Sequence, residues 1–133
     1  MTQNHASGII IRVVSRLKQK IILSITFLWT CFLAFASPLI IGLIYMSVTG
    51  HGKGYDYDLG IERDVSIMFG VTDLIIFLAL LLPSCIYVFS RFGKIGRAFT
   101  VIPTIAYIGL FIAGIYAIGG WNVFLSLFNI TVN

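Results

Sequence analysis

Charge is what this chain has least of. Only 11% of its 133 residues are Asp, Glu, Lys or Arg, against about 25% in an ordinary soluble domain. So few charges cannot solvate the surface of a soluble globule of this size, and 59% of the residues are hydrophobic. The composition implies that lipid covers much of the exterior. From Ile21 to Gly52 no residue is formally charged, taking His51 as neutral, and none is from Ala98 to Asn133.

Other scarcities exclude chemistry. There are two histidines, His5 and His51. They fall on opposite sides of the expected bundle and have no second ligand at helical spacing, so no metal or haem site is expected. The two cysteines, Cys31 and Cys85, lie in separate apolar stretches at different expected depths. Both read as free, small, apolar side chains. No serine, cysteine or histidine grouping suggests nucleophilic catalysis. The expectation is a non-enzymatic protein with no cofactor. The net charge of +4 does not signal nucleic acid. Four of the nine bases precede the first apolar run and three more sit in one short loop, where membrane topology uses them.

What is present fits three spanning helices. Residues 1–20 hold Arg12, Arg16, Lys18 and Lys20, with Ile9, Ile10, Val13, Val14 and Leu17 at helical spacing. This segment reads either as a basic amphipathic helix at a membrane surface or as a positive flank for the first span. The expected spans are 21–48, 66–90 and 99–118, each near or above the ~20 residues that cross a bilayer. They are joined by an outer loop at 49–65 and a basic inner loop at 91–98, and an interfacial tail follows at 119–133. Ala34-Phe35-Ala36 resembles a signal-peptidase site, but the apolar run continues beyond it and no cleavage is expected. Pro38 should kink the first span and free the carbonyl of Ala34. Pro103 is expected in the first turn of the third span, where a missing N–H costs little.

The bases give orientation. With the tail and the second loop inside, the amino terminus is cytoplasmic and the carboxyl terminus outside. The fold class is therefore an all-α integral membrane protein, a compact bundle of three transmembrane helices in one domain. A bacterial inner (plasma) membrane is the expected location. Helices in lipid associate through small and polar residues. Expected packing stripes are Ser24, Cys31, Pro38, Gly42 and Tyr45, with Leu28 and Phe35, on the first helix. The second has Ser66, Gly70, Asp73, Ser84, Tyr87 and Arg91, with Phe77 and Leu80. The third has Ala106, Gly109, Ala113, Tyr116 and Gly120. Leu74, Leu78, Leu81 and Leu82 should face lipid. The competing reading is that one stripe, most readily the Gly/Ala ridge of the third helix, faces a different protein.

Asp73 is the one charged residue inside an apolar run. With 66–90 centred in the bilayer, it lies roughly 7 Å from the midplane. A carboxylate there costs up to ~3 kcal/mol on insertion scales and is a functional candidate, together with Ser84 and Tyr87. The alternative is that the helix sits lower and Asp73 reaches the outer headgroups. Residues 74–90 are uncharged and long enough to span alone. In the outer loop, Tyr55, Asp56, Tyr57, Asp58 and Glu62 form a candidate recognition surface. Gly50-His-Gly-Lys-Gly54 lacks the spacing and the Lys-Ser/Thr ending of a phosphate loop. The acids of 56–62 lack the glycine position and terminal Glu of a calcium loop. Asn129-Ile-Thr131 matches a glycosylation sequon.

The expected function is binding to another integral membrane protein, as an accessory subunit or an inhibitory, immunity-type protein. The size and topology suit immunity proteins against pore-forming bacteriocins, by class analogy. Two alternatives involve self-association: an oligomeric ion or small-molecule transporter using Asp73, and a holin-like lesion-forming protein. Expected partners are membrane lipid and either another membrane protein or further copies of this chain, with no nucleic acid.

Overall fold

A computed structural model describes the backbone of residues 3–49, 63–93 and 97–128, and the side chains of 7–49, 63–93 and 100–128. The described residues are all-helical and include no strand. Four helices follow in order: α1 (Gln3–Thr49), α2 (Arg63–Gly93), α3 (Arg97–Ala117) and the short α4 (Trp121–Ser126). The first three are long and apolar enough to cross a membrane.

α1 is a single unbroken helix of 47 residues. The tail at 1–20 and the span at 21–48 are thus one element, with no break at Lys20. At 1.5 Å per residue it is about 70 Å long, more than twice the ~30 Å of a hydrocarbon core. α2 begins at Arg63 rather than 66, so Asp64 enters its first turn, where the helix dipole favours an acid. α3 begins at Arg97, which places Pro103 inside the helix rather than in its first turn.

Pro38 lies within α1 without ending it. A proline cannot donate to the carbonyl four residues back, here that of Ala34. The buried Ser37 hydroxyl donates to Ala34 O at 2.7 Å and satisfies it. Neighbouring hydroxyls re-satisfying a freed carbonyl are the usual reason proline is tolerated in membrane helices.

α1 is the central element and packs on both α2 and α3, which touch each other less. Phe27 meets Phe92 near one end of α2, and Ser66 Oγ donates to Ser47 O near the other, so α2 runs antiparallel to α1. α3 runs parallel to α1: Pro103 and Tyr107 lie near Phe27 and Thr30, and Gly114 lies beside Phe35 and Pro38. The core is Leu33 and Ile44 of α1 with Phe77 of α2, flanked by Ile40, Ile41, Val48 and Leu81.

α3 ends in a glycine cap. Gly120 N–H donates to Ile115 O at 3.0 Å and Gly119 N–H to Tyr116 O at 3.1 Å, the bond pair of a Schellman motif. Gly119 (φ 117°) and Gly120 (φ 90°) both take backbone angles that side-chain-bearing residues avoid. The reversal folds α4 and the two residues after it back onto α1. The Tyr45 and Phe128 rings lie 4.6 Å apart, and Leu127 covers Gly42. The tail therefore caps the bundle rather than extending α3.

Candidate functional site

The expected constellation of Asp73, Ser84 and Tyr87 does not converge. All three lie along one flank of α2, but Asp73 and Ser84 are eleven residues apart, about 16 Å along the helix axis. Asp73 is exposed, with no hydrogen bond or ion pair to a described residue. Ser84 donates to its own helix at Leu80 O, 2.9 Å away. Tyr87 is half-buried beneath the Arg91 guanidinium, whose Cζ stands 5.8 Å from the ring centre. That is cation–π range, so Tyr87 anchors a base of its own helix.

The level of Asp73 follows from the packing register. A methyl group on Gly70 would come within 2.8 Å of Val48 Cγ2 and 3.0 Å of Ser47 Cβ, so these residues face each other. Three residues further on, Asp73 stands level with Tyr45 of the antiparallel α1, the residue that Phe128 covers. α3 has already ended there, because its Gly114 faces Phe35 and Pro38. Asp73 is level with the folded-back tail. Tyr55, Asp56, Tyr57, Asp58 and Glu62 lie outside the described residues, as do His51 and the sequon at 129–131.

The three expected stripes divide. On α2, Gly70 and Phe77 are buried and Ser66, Ser84, Tyr87 and Arg91 are half-buried, but Asp73 and Leu80 are exposed. Leu74, Leu78 and Leu82 are exposed, while Leu81 turns inward against the core. On α1, Pro38 and Gly42 are buried, but Ser24, Leu28 and Phe35 are exposed. α1 has two neighbours, so its buried arc widens to include Thr30, Leu33, Ala34 and Ile44.

On α3 the expected stripe points the wrong way. Gly109, Ala113 and Tyr116 are exposed, Tyr116 at 64% of its surface. The buried face carries Pro103, Gly114 and Ile115, with Tyr107 half-buried beside them. At 100° per residue the two faces are separated by roughly 150°. Among the described glycines Gly114 is the most closely approached: a Cβ there would collide with the Phe35 carbonyl oxygen and reach 3.2 Å from Pro38 Cγ. Tyr107 lies beside Thr30 and Cys31 of α1. A signal for this face existed in the 4-3-4 spacing of Pro103, Tyr107, Leu110 and Gly114.

The outward ridge of α3 is therefore the surface with the least explained composition. Gly109 and Ala113 lie four apart on one face, and nothing stands within 4 Å of where a Gly109 Cβ would be. Ile102, Ile105 and Ile112 border them, all exposed. A glycine facing lipid gains nothing there, whereas a glycine facing a second helix permits close backbone approach. Among the described residues no cluster of His, Cys, Asp and Glu could hold a metal ion. Compared with known protein families, curated proteins and solved structures, the chain matches none of them.

Proposed function

We propose that this is a three-span membrane protein whose role is to bind another integral membrane protein within the bilayer, as an accessory or inhibitory subunit. The observation that carries the reading is the outward Gly109–Ala113 ridge. In lipid, apolar side chains give no preference for a partner, and small residues at i and i+4 let two helices come close. α3 already uses Gly114 in this way inside the bundle, and Gly109 offers the same device on its free face.

The membrane placement belongs to the same proposal. The bases of residues 12–20, Arg91 and Arg97 lie at one end of the bundle, and Asp64 and Asp73 lie toward the other. With the basic end inside, the amino terminus is cytoplasmic and the tail from Trp121 onward is outside. A bacterial plasma membrane is the setting we propose. If α3 sets the hydrocarbon slab, Asp73 stands beyond its outer edge, among headgroups, where a carboxylate is inexpensive. This favours an interfacial Asp73 over an intramembrane proton or cation site.

The test places a photo-crosslinking residue at Gly109 or Ala113 in native membranes, with Leu78 on α2 as the control face. A discrete adduct with a second protein from 109 and 113, absent from 78, supports the reading. Adducts only between copies of this chain move the function to self-association. Ion flux in liposomes that vanishes in Asp73→Asn then identifies a transporter, and lysis on expression identifies a lesion-forming protein.

A further inference from the structure

One surface remains without a covering. Residues 7–20 of α1 are exposed throughout, including Ile9, Ile10, Ile11, Val13, Val14 and Leu17 at 57–68% of their surfaces. None of them touches α2 or α3 closely enough to be covered. This much exposed isoleucine, valine and leucine on one segment marks a contact surface.

Two features identify what covers it. The first is charge. Arg12, Arg16, Lys18 and Lys20 fall within the segment, and the first acidic residue of the chain is Asp56. On a helical wheel Arg16 borders the apolar arc on one edge, with Lys20 just inside it between Ile9 and Val13, and Lys18 borders the other edge, with Ile11 beyond it. Arg12, Ser15 and Gln19 lie behind it. An apolar arc bordered by bases is complementary to an anionic lipid surface, where acyl chains take the arc and phosphates take the bases.

The second feature is direction. Ile10, Val14 and Leu17 continue at 4-3-4 spacing into Ile21, and then, two turns on, into Leu28 and Phe32. All six are exposed and form one ridge along α1. Opposite the ridge lie Leu33, Ser37 and Ile44, the residues packed against α2 and α3. The apolar arc of the tail is thus on the side of α1 that faces away from the bundle. A helix leaving the bilayer downward and folding toward its own apolar side turns that side up against the lipid. Here such a fold carries the tail outward.

We infer that residues 7–20 dock on the anionic lipid of the inner surface; since α1 is one straight-through helix in the structure, docking bends it near Lys20, so that the tail lies beside the bundle and away from α2 and α3. This rests on the membrane reading above. A tail with its arc on the other side of α1 would instead lie under the bundle, against the loop between α2 and α3. Each Lys or Arg near an anionic surface strengthens association about fivefold. The docked state therefore depends on lipid charge and on salt.

The experiment uses the full chain in Cys31→Ala/Cys85→Ala form, reconstituted in phosphatidylcholine vesicles with or without phosphatidylglycerol. Single cysteines at Val14, Ser15 and Leu82 carry an environment-sensitive fluorophore. The expected result is protection of position 14, but not 15, from an aqueous quencher, in phosphatidylglycerol vesicles and at low salt. Replacing all four bases by Gln should abolish that protection. Spin labels at Ile10 and Ser90 should lie about 27 Å apart when the tail swings outward, against about 15 Å if it tucks beneath the bundle; a tail still in line with α1 lies at about 30 Å and is told apart by equal quenching at 14 and 15. Equal quenching at 14 and 15 with position 82 protected overturns the docking and leaves the membrane reading intact. An accessible position 82 overturns both. Protection that requires no anionic lipid and comes with crosslinks between the tails of two chains overturns it in favour of a second copy.

Discussion

Gly109 and Gly114 sit five residues apart on the same helix and have opposite surroundings. Gly114 lies against backbone, with the Phe35 carbonyl where its Cβ would be, and Gly109 has empty space in the same position. The residue type is identical and so is the intrinsic helix cost. What differs is the neighbour. A small residue in an apolar helix therefore says that something comes close, and only the three-dimensional arrangement says whether that something is this chain.

The sharpest way to break the comparison is to make one substitution at both positions. Gly114→Leu should be the most damaging single change in the bundle. The obstruction is backbone rather than a flexible side-chain end, so α1 and α3 must separate, and the loss should be about 3 kcal/mol or more. Denaturation of the purified chain in mild detergent measures it. A Gly114→Leu protein as stable as the parent would mean that α3 does not pack on α1 through this face.

The cap after α3 comes next. Gly119→Ala puts a Cβ on a residue with φ 117° and brings it to 2.9 Å from Val123 Cγ2. The expected loss is about 1–2 kcal/mol, with α4 released from α1. Fluorescence of Trp121 and protection of the Tyr45 region from hydrogen exchange report the release. Retained packing of Phe128 on Tyr45 would show that the tail docks without its turn.

Smaller still is Ser37→Ala. It leaves the Ala34 carbonyl without its donor. The net loss of one such bond is expected to be about 1 kcal/mol. Tyr107→Phe should cost less, because it leaves the Ser37–Ala34 bond in place. If the two variants matched, the freed carbonyl would be satisfied some other way.

These positions also show what the sequence could and could not say. The number of apolar helices follows from the lengths of the uncharged runs, and the carbonyl freed by Pro38 follows from covalent geometry alone. The continuity of α1 past Lys20 did not, because a basic stretch changes the solvent a helix prefers without changing its helicity. The placement of Leu81 was missed because a leucine in a leucine-rich helix carries no sign of which side it faces. The wrong stripe on α3 has the same origin. Gly109, Ala113 and Tyr116 make the more regular pattern, but Gly114 is the residue that meets Phe35 and Pro38. Asp73 was legible as unusual, and its level could be read only once Gly70 was seen opposite Val48.

The smallest expected effect is also the one on which the functional reading turns. Gly109→Leu adds a large side chain to an open face and removes a poor helix former. The stability of the isolated chain should therefore stay within about 1 kcal/mol of the parent, with a gain allowed by helix propensity. In native membranes the same substitution should abolish the adduct formed by a photo-crosslinker at Ala113, because a leucine there holds a partner helix off. Stability and binding should thus separate at Gly109 and fall together at Gly114. A Gly109→Leu chain that keeps its adduct would show that the ridge is not where the partner sits, while one that unfolds would show that the face is already occupied by this chain.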